Sequence, residues 1–375
     1  LRAARYHNGV VKRFPFLDWM RGLAVLVMFE CHTFNSFARL DVRSGGPYVL
    51  SQFIGGMAAP LFLFMAGMTL GFKMETLERR EPNRWRRFMA SLRRAGYVMA
   101  IAFAFRISNW IASMPRPDIA EITKVDILNS MGLGMGVVAA AALFEGKNRL
   151  RFALLGAIAV AALAPVVEGW NWSGTPQLIV EYLAPGDNRG RFPFFPCAAY
   201  IGFGLVAGAI VKRTAAEQMD RLMQWCAVIG FAVIFTAQYF ANIPFSIYPA
   251  PDFWHSSPAL VLIRTGISLA LLAGAYLWTE YGAAPRWSWM QALGQTSLLV
   301  YWVHVMLVYG NIVKHWKRTL SIPETTLAFA IVTALMVALA AARLAWMDRK
   351  KPAEYATSPE IPAGTRAGTL ASRTR

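Results

Sequence analysis

Ten stretches of the chain are long and apolar enough to cross a bilayer as helices: 16–37, 49–72, 95–113, 126–144, 150–168, 194–211, 222–242, 258–280, 289–313 and 325–346. Each is near the ~20 residues that a span requires. Several are interrupted by Gly or Pro, which membrane bundles tolerate where neighbouring helices satisfy the backbone. The polar positions inside them keep helical spacing. In the first stretch Asp18, Arg21 and His32 share a face, since Arg21 and His32 are eleven residues, close to three turns, apart. In 289–313, Ser297, Tyr301 and His304 recur at i, i+4 and i+7; in 126–144, Asp126 and Asn129 stand at i and i+3. The pattern predicts an all-α, polytopic membrane helix bundle of about ten transmembrane helices over 1–348. From Arg349 the chain turns to Pro, Thr, Ala, Lys and Arg without apolar periodicity, so 349–375 is expected to be a disordered tail. The first span carries three charged residues and no small-residue cleavage pattern, and is expected to remain as a helix.

Composition agrees with a membrane protein. The 375 residues are 56% hydrophobic with mean hydropathy +0.38, against about 45–50% apolar in soluble domains. A net charge of +17 raises the question of nucleic acid, but the basic residues fall between the apolar stretches and not along one polar face. With the N-terminus inside, 25 of the 38 Lys and Arg lie on the cytoplasmic side, eight of them in 73–94, and 9 lie on the other. This distribution predicts that both termini are cytoplasmic and that the lipid bilayer, not a nucleic acid, is the partner. The three cysteines, Cys31, Cys197 and Cys226, sit inside apolar stretches and read as packed thiols. The five histidines lack metal-ligand spacing, so neither a metal nor a permanently bound cofactor is expected. No internal repeat is visible, and a homodimer is left open.

At 1.5 Å per residue the buried polar groups fall at similar depths: His32 about 9 Å from the outer end of its helix, Arg106 about 10 Å, Asn129 about 5 Å, Arg264 about 9 Å and His304 about 14 Å. Asp126 sits at the outer mouth. A charge held in hydrocarbon costs about 2.5–3.5 kcal/mol by insertion scales, so agreement in depth points to one shared site. Each group also has a structural reading. Asp18 and Arg21 read equally as an ion pair ordering the first helix, His304 as a satisfied interior histidine, and His32 as one packed among Glu30 and Asn35. Arg106 and Arg264 read as snorkelling side chains or partners of carboxylates such as Asp126. The arginines of 79–94 read first as a topology signal and second as a phosphate cradle.

Phe16-Leu-Asp-Trp-Met-Arg-Gly-Leu-Ala-Val-Leu-Val-Met followed by His32 resembles the opening of bacterial DUF1624 proteins. These are relatives of the heparan-α-glucosaminide N-acetyltransferase catalytic domain, within the wider transmembrane acyltransferase group. Further blocks carry the same likeness: Ala59-Pro-Leu-Phe-Leu-Phe-Met-Ala-Gly67, Lys124-Val-Asp-Ile-Leu-Asn-Ser-Met-Gly132 and Phe192-Pro-Phe-Phe-Pro196. Ser257-Pro with Ile263-Arg264, and Leu293-Gly-Gln-Thr-Ser-Leu-Leu-Val-Tyr-Trp-Val-His-Val305, complete a set spanning about residues 14–310. The resemblance implies a bacterial inner-membrane enzyme. It would move an acyl group, acetyl above all, from cytoplasmic acyl-CoA to an amine or hydroxyl of a glycan or other small acceptor on the far side. It places the active-site histidine at His32, the aspartate of its Val-Asp-Ile-Leu block at Asp126 and the late histidine at His304. Met306 stands where many bacterial members are expected to carry a carboxylate. The extra N-terminal lumenal region of the eukaryotic enzyme is not seen here, so its acceptor is not expected to carry over.

The residue types suit that chemistry. A thioester needs only an acceptor relieved of its proton, and a neutral imidazole fits the task. His32 is therefore expected to be the general base, oriented by Asp126 or Glu30. His304, Asn129 or Tyr301 would donate to the oxyanion. An acyl-histidine intermediate would use the same residues. Arg21 and the 79–94 arginines are expected to hold the anionic head of CoA, and Asp18, Glu30, Asn35, Arg106, Arg264, Ser297 and Tyr301 to line the substrate path. The face Arg21, Val25, Met28, His32, with Gly22 allowing close backbone approach, is expected to admit the acyl-CoA arm. A proton-coupled transporter is the alternative reading of the same His, Asp and Arg groups. The topology has a direct check: cysteines introduced at Arg84 and in the tail should be labelled from the cytoplasmic side only, in intact against permeabilised cells.

Overall fold

Prolines and short polar caps set where the helices start. Pro15, Pro47 and Pro258 occupy first-turn positions, where a missing N–H costs nothing. Asn83 Oδ1 accepts from the N–H groups of Trp85 (2.9 Å) and Arg86 (3.3 Å), and Ser288 caps Trp289 onward through the N–H of Gln291. The computed structural model describes residues 14–112, 119–186, 192–243, 245–248, 252–282 and 287–349. They form α1 Pro15–Phe37, α2 Gly46–Gly55, α3 Ala58–Arg80, α4 Arg84–Ala112, α5 Ala120–Thr123, α6 Ile127–Val138 and α7 Gly146–Glu168. These are followed by α8 Gln177–Leu183, α9 Phe194–Arg213, α10 Met219–Ala241, α11 Pro258–Leu277, α12 Trp289–Gln295, α13 Ser297–Tyr309 and α14 Ile322–Arg349. Among the described residues there is no strand, only a bridge between Ala38 and Leu320.

The chain is an all-α membrane helix bundle, with a smaller count of clear spans than the expected ten. Among the described residues, seven helices are long and apolar enough to cross a membrane, or eight when the bent pair α12–α13 is taken as one span. All ten predicted stretches are helical, but two miss that standard for physical reasons. In α1, the polar groups Arg21, Glu30, His32 and Asn35 lower the apolarity. In 126–144, the helix ends at Val138 and continues only as a 3-10 turn to Leu143. The predicted helix 289–313 is broken: α12 and α13 meet at 89°. The expected tail, 350–375, lies outside the described residues.

Packing radiates from α1, which contacts α2, α3, α11, α12, α13 and α14. Its closest crossing is with α12 and works only because both helices carry glycine there. A Cβ on Gly22 would sit 1.9 Å from the carbonyl oxygen of Met290, and one on Gly294 would sit 1.7 Å from that of Asp18. A second glycine crossing joins α3 to α9, where Gly67 and Gly71 face Gly204 and Gly208; a Cβ on Gly204 would lie 1.9 Å from the Phe64 carbonyl oxygen. Such small-residue seams let backbones touch where lipid offers no hydrophobic incentive to associate.

The end of the bundle holding the α3–α4 turn is its basic end, and some of its arginines are structural. Arg149 is fully buried and binds Glu75 (2.6 Å) and Glu78, while Arg213 grips both oxygens of Glu75 at 2.8 Å, tying α7 and α9 to α3. Arg87, also buried, pairs with Glu145 at 2.6 Å. Removing one partner of such a buried pair typically costs about 3–5 kcal/mol. These arginines, counted above as topology signals, are therefore also fasteners. Gly294→Val should abolish monodisperse folded protein or lower its melting temperature sharply, since overpacking costs about 1–3 kcal/mol even where some relaxation is possible. Gly156→Ala, where a Cβ meets nothing within 4 Å, is the control in the same detergent melting assay.

Candidate active site

Two residues 272 positions apart meet away from the basic end of the bundle: Nδ1 of His32 lies 2.9 Å from Nε2 of His304. Their rings are nearly parallel, 12° apart with centroids at 5.1 Å. His304 has no solvent exposure, and Phe29 packs on it at 4.7 Å. The other ring nitrogen of His304 decides the tautomers. Its Nδ1 faces two carbonyl oxygens of its own helix, Tyr301 at 2.8 Å and Val300 at 3.2 Å. Facing acceptors only, that nitrogen must carry the hydrogen, so Nε2 of a neutral His304 is the acceptor. The Nδ1 of His32 then donates, leaving Nε2 of His32 as the unprotonated nitrogen. The chain carbonyl–imidazole–imidazole orients a base as the third member of a triad does.

The far end of α1 is stitched over this pair. Ser36 Oγ donates to the Val308 carbonyl at 2.8 Å, and the Arg318 and Leu320 N–H groups donate to Ser36 and Phe37 at 3.0 Å. Tyr309 presents its ring edge to His32 at 5.3 Å. From the basic end, a cavity of about 480 Å³ runs inward between α1, α3, α4, α6 and the α12–α13 break. Its polar lining includes Asp18, Arg21, Arg94, Gln295, Ser297 and Tyr301. Asp18 and Arg21, both in its lining, form the expected ion pair at 3.0 Å. Such a volume lies within the usual range for small-molecule sites, about 300–1,000 Å³.

Residues 14–342 match the family described as Acyltransferase domain (Acyl_transf_3). The chain belongs to that family. It is a membrane acyltransferase, and the histidine pair and cavity are its candidate active site. No curated protein sequence matches the chain.

In this acyltransferase several expected site residues are placed differently from the sequence reading. Asp126 does not touch the histidines: it caps α6, accepting from the N–H groups of Leu128 (2.9 Å) and Asn129 (3.1 Å), and Asn129 Oδ1 returns a bond to the Asp126 N–H. Asn129 also donates to the Tyr182 hydroxyl at 3.1 Å. Burial pushes that hydroxyl above the ordinary phenol range, assisted by the Asp126 charge, so it stays protonated. Arg106 on α4 lies within electrostatic reach of Asp126, and both act on Tyr301. Glu30 turns to α2 and bonds Ser51, so it cannot orient His32; successive positions i and i+2 on a helix point away from each other. Arg264 stands apart, beside Tyr200 and Cys197 and against the backbone at Gly56. Asn35 contributes its carbonyl oxygen to Arg43 at 2.7 Å. The expected passage along Val25 and Met28 is closed, since both are packed in the core.

Arg94, one of the arginines expected to hold the head of CoA, lines the cavity; sequence reading missed Tyr97, Val98 and Ile101 beside it, although the four keep the i, i+3, i+4, i+7 spacing of one helical face. It also missed one group with metal-ligand character at the far end: Glu168, Asp252 and His255, whose ligand atoms lie within 4.8 Å of one another. There Asp252 already pairs with His255 at 2.9 Å, and Ser256 donates to Glu168. The tautomer assignment is open to measurement. Nitrogen-15 NMR of histidine-labelled protein above the imidazole pKa should show both His32 and His304 protonated at Nδ1. In His304→Ala, His32 should move toward the Nε2–H form that dominates free histidine.

Proposed function

We propose that this acyltransferase moves an acyl group, acetyl foremost, from acyl-CoA entering at the basic, cytoplasmic end to an amine or hydroxyl on the far side. The bacterial inner membrane is its setting, and a glycan or other small acceptor its second substrate. The observation that carries the reading is the His32–His304 hydrogen bond standing beyond the inner end of the basic-end cavity. Arg21 and Arg94 suit the phosphates of CoA, and the apolar walls below them suit its pantetheine arm. The family match is to Acyl_transf_3; the narrower resemblance of the sequence blocks to the DUF1624 group would imply the same donor.

In this reading, Nε2 of His32 takes the acceptor's proton as its nitrogen or oxygen attacks the thioester carbonyl. The tetrahedral oxyanion then collapses, the C–S bond breaks, and the imidazolium returns the proton to the leaving thiolate. His304 accepts the Nδ1 hydrogen of His32 throughout and spreads the charge when His32 is an imidazolium. Asp126 and Asn129 serve as positioning residues, by holding the start of α6 against α4 and α8. The family match weighs against the proton-coupled transporter, which would also call for binding at a repeat interface that the chain lacks.

His32→Ala should abolish transfer, a loss of about 10²–10⁴-fold, while isothermal titration still detects acetyl-CoA. His304→Ala should lower kcat about 10–100-fold with KM for acetyl-CoA unchanged, as removal of an orienting partner does. The assay is release of free CoA thiol with an outer-face acceptor. Near-normal turnover in His32→Ala would overturn the assignment of the base.

A further inference from the structure

The cavity and the histidine pair are neighbours without being connected. Among the described residues, the inner wall of the cavity is made by Phe62, Ile101, Ile127, Leu128 and Tyr301, and neither histidine lines it. Tyr301 stands between the two spaces. It is one turn before His304 on α13, with ring centroids 6.1 Å apart, and is only 9% exposed. Its other side rests on Phe105 at 5.1 Å, and Phe105 in turn is wedged against Trp302 at 5.3 Å. The alternative route along α1 is filled by Val25, Met28 and Phe29, at 0%, 4% and 0% exposure. The partition is therefore a single aromatic layer, and its movable member is Tyr301. That ring belongs to a short helix beginning at an 89° break four residues earlier.

We propose that Tyr301, backed by Phe105, is a gate between donor cavity and base, closed until acceptor binding, which keeps a bound thioester from being hydrolysed. The inference rests on the acyl-CoA reading above. The reaction it guards against is attack of water on the thioester carbonyl, cleavage of the C–S bond, and release of the carboxylic acid and CoA thiol. The water's proton passes through His32 to the thiolate. A membrane-embedded base that faced an occupied donor cavity without a barrier would waste acyl-CoA in this way whenever acceptor was scarce, because excluding water is what protects a reactive intermediate.

The test is acceptor-free hydrolysis of acetyl-CoA by purified protein in proteoliposomes, read as CoA thiol release, with acetyl-CoA affinity measured in parallel by calorimetry. Tyr301→Ala should raise hydrolysis at least tenfold over the parent protein, and the double variant Tyr301→Ala/His32→Ala should lose that excess. Phe105→Leu loosens the same layer from behind and should raise hydrolysis in the same direction; it decides the matter if Tyr301→Ala does not fold. Leu327→Ala, on a lipid-facing position of α14 that is 63% exposed, is the control. Variants that bind acetyl-CoA as the parent does yet hydrolyse it no faster overturn the gate and leave the donor reading standing. Excess hydrolysis that survives removal of His32 also overturns it, since water would then be reaching the thioester elsewhere. Absence of acetyl-CoA binding in the parent protein overturns the donor reading and the gate with it.

Discussion

The arrangement of this acyltransferase depends on two helices touching backbone to backbone. At the α1–α12 crossing, Gly22 and Gly294 leave no space for a methyl group on either side. That contact seats α12 against the start of α1, and the 89° turn after Gln295 then sends α13 toward the far end. His304, about two turns into the second half of that pair, arrives beside His32 at hydrogen-bond distance. A helix pair held apart by ordinary side chains would have axes about 8–10 Å apart. Imidazoles projecting from such helices would have to find each other across a wider gap. In a membrane, where apolar side chains gain little by leaving lipid for protein, the small-residue seam is also what makes the association itself favourable.

The break between α12 and α13 has a chemical consequence as well as a geometric one. It turns a span into two short pieces whose junction lines the basic-end cavity with Gln295 and Ser297, so backbone that would be costly against lipid is placed where protein and a polar space can satisfy it. It also puts the cavity and the histidines on opposite sides of one helical turn of α13. Ser297 belongs to the cavity, His304 to the histidine pair, and Tyr301 between them to the wall.

In the proposed mechanism the orienting partner of His32 is an imidazole and not a carboxylate, and that choice suits its surroundings. A carboxylate in the same place would stabilise an imidazolium better, but an ionised acid at the centre of a bilayer costs about 2.5–3.5 kcal/mol on insertion scales. His304 meets the geometric need with no charge, its Nδ1 hydrogen fastened to carbonyls of its own helix. The acid that sequence spacing nominated, Asp126, sits where its charge is tolerated: at a helix N-terminus, accepting two N–H groups, near Arg106. One of its oxygens, like one of Glu30, is buried without a hydrogen-bond partner among the described residues. Such atoms cost about 1–3 kcal/mol each and mark places where the bundle is not arranged for stability alone.

Helix content, the faces on which polar groups lie and the candidacy of His32 and His304 were determined by the sequence itself. Each follows from a local rule: apolar runs of spanning length form helices, periodicity assigns faces, and polar groups in hydrocarbon need a reason. The Asp18–Arg21 pair was legible for the same cause, being one turn apart. What only the tertiary structure decided is who meets whom. Linear spacing gave Asp126 and Glu30 equal standing as partners of His32, and made His304 an oxyanion donor. The fold instead pairs the two histidines, uses Asp126 and Asn129 to start α6, and turns Glu30 to α2. It fills the Val25–Met28 face with core and opens the cavity along α4 and α6. Those outcomes hang on crossing angles and one sharp bend, which arise from close contacts between residues hundreds of positions apart and leave no mark in the periodicity of any single helix.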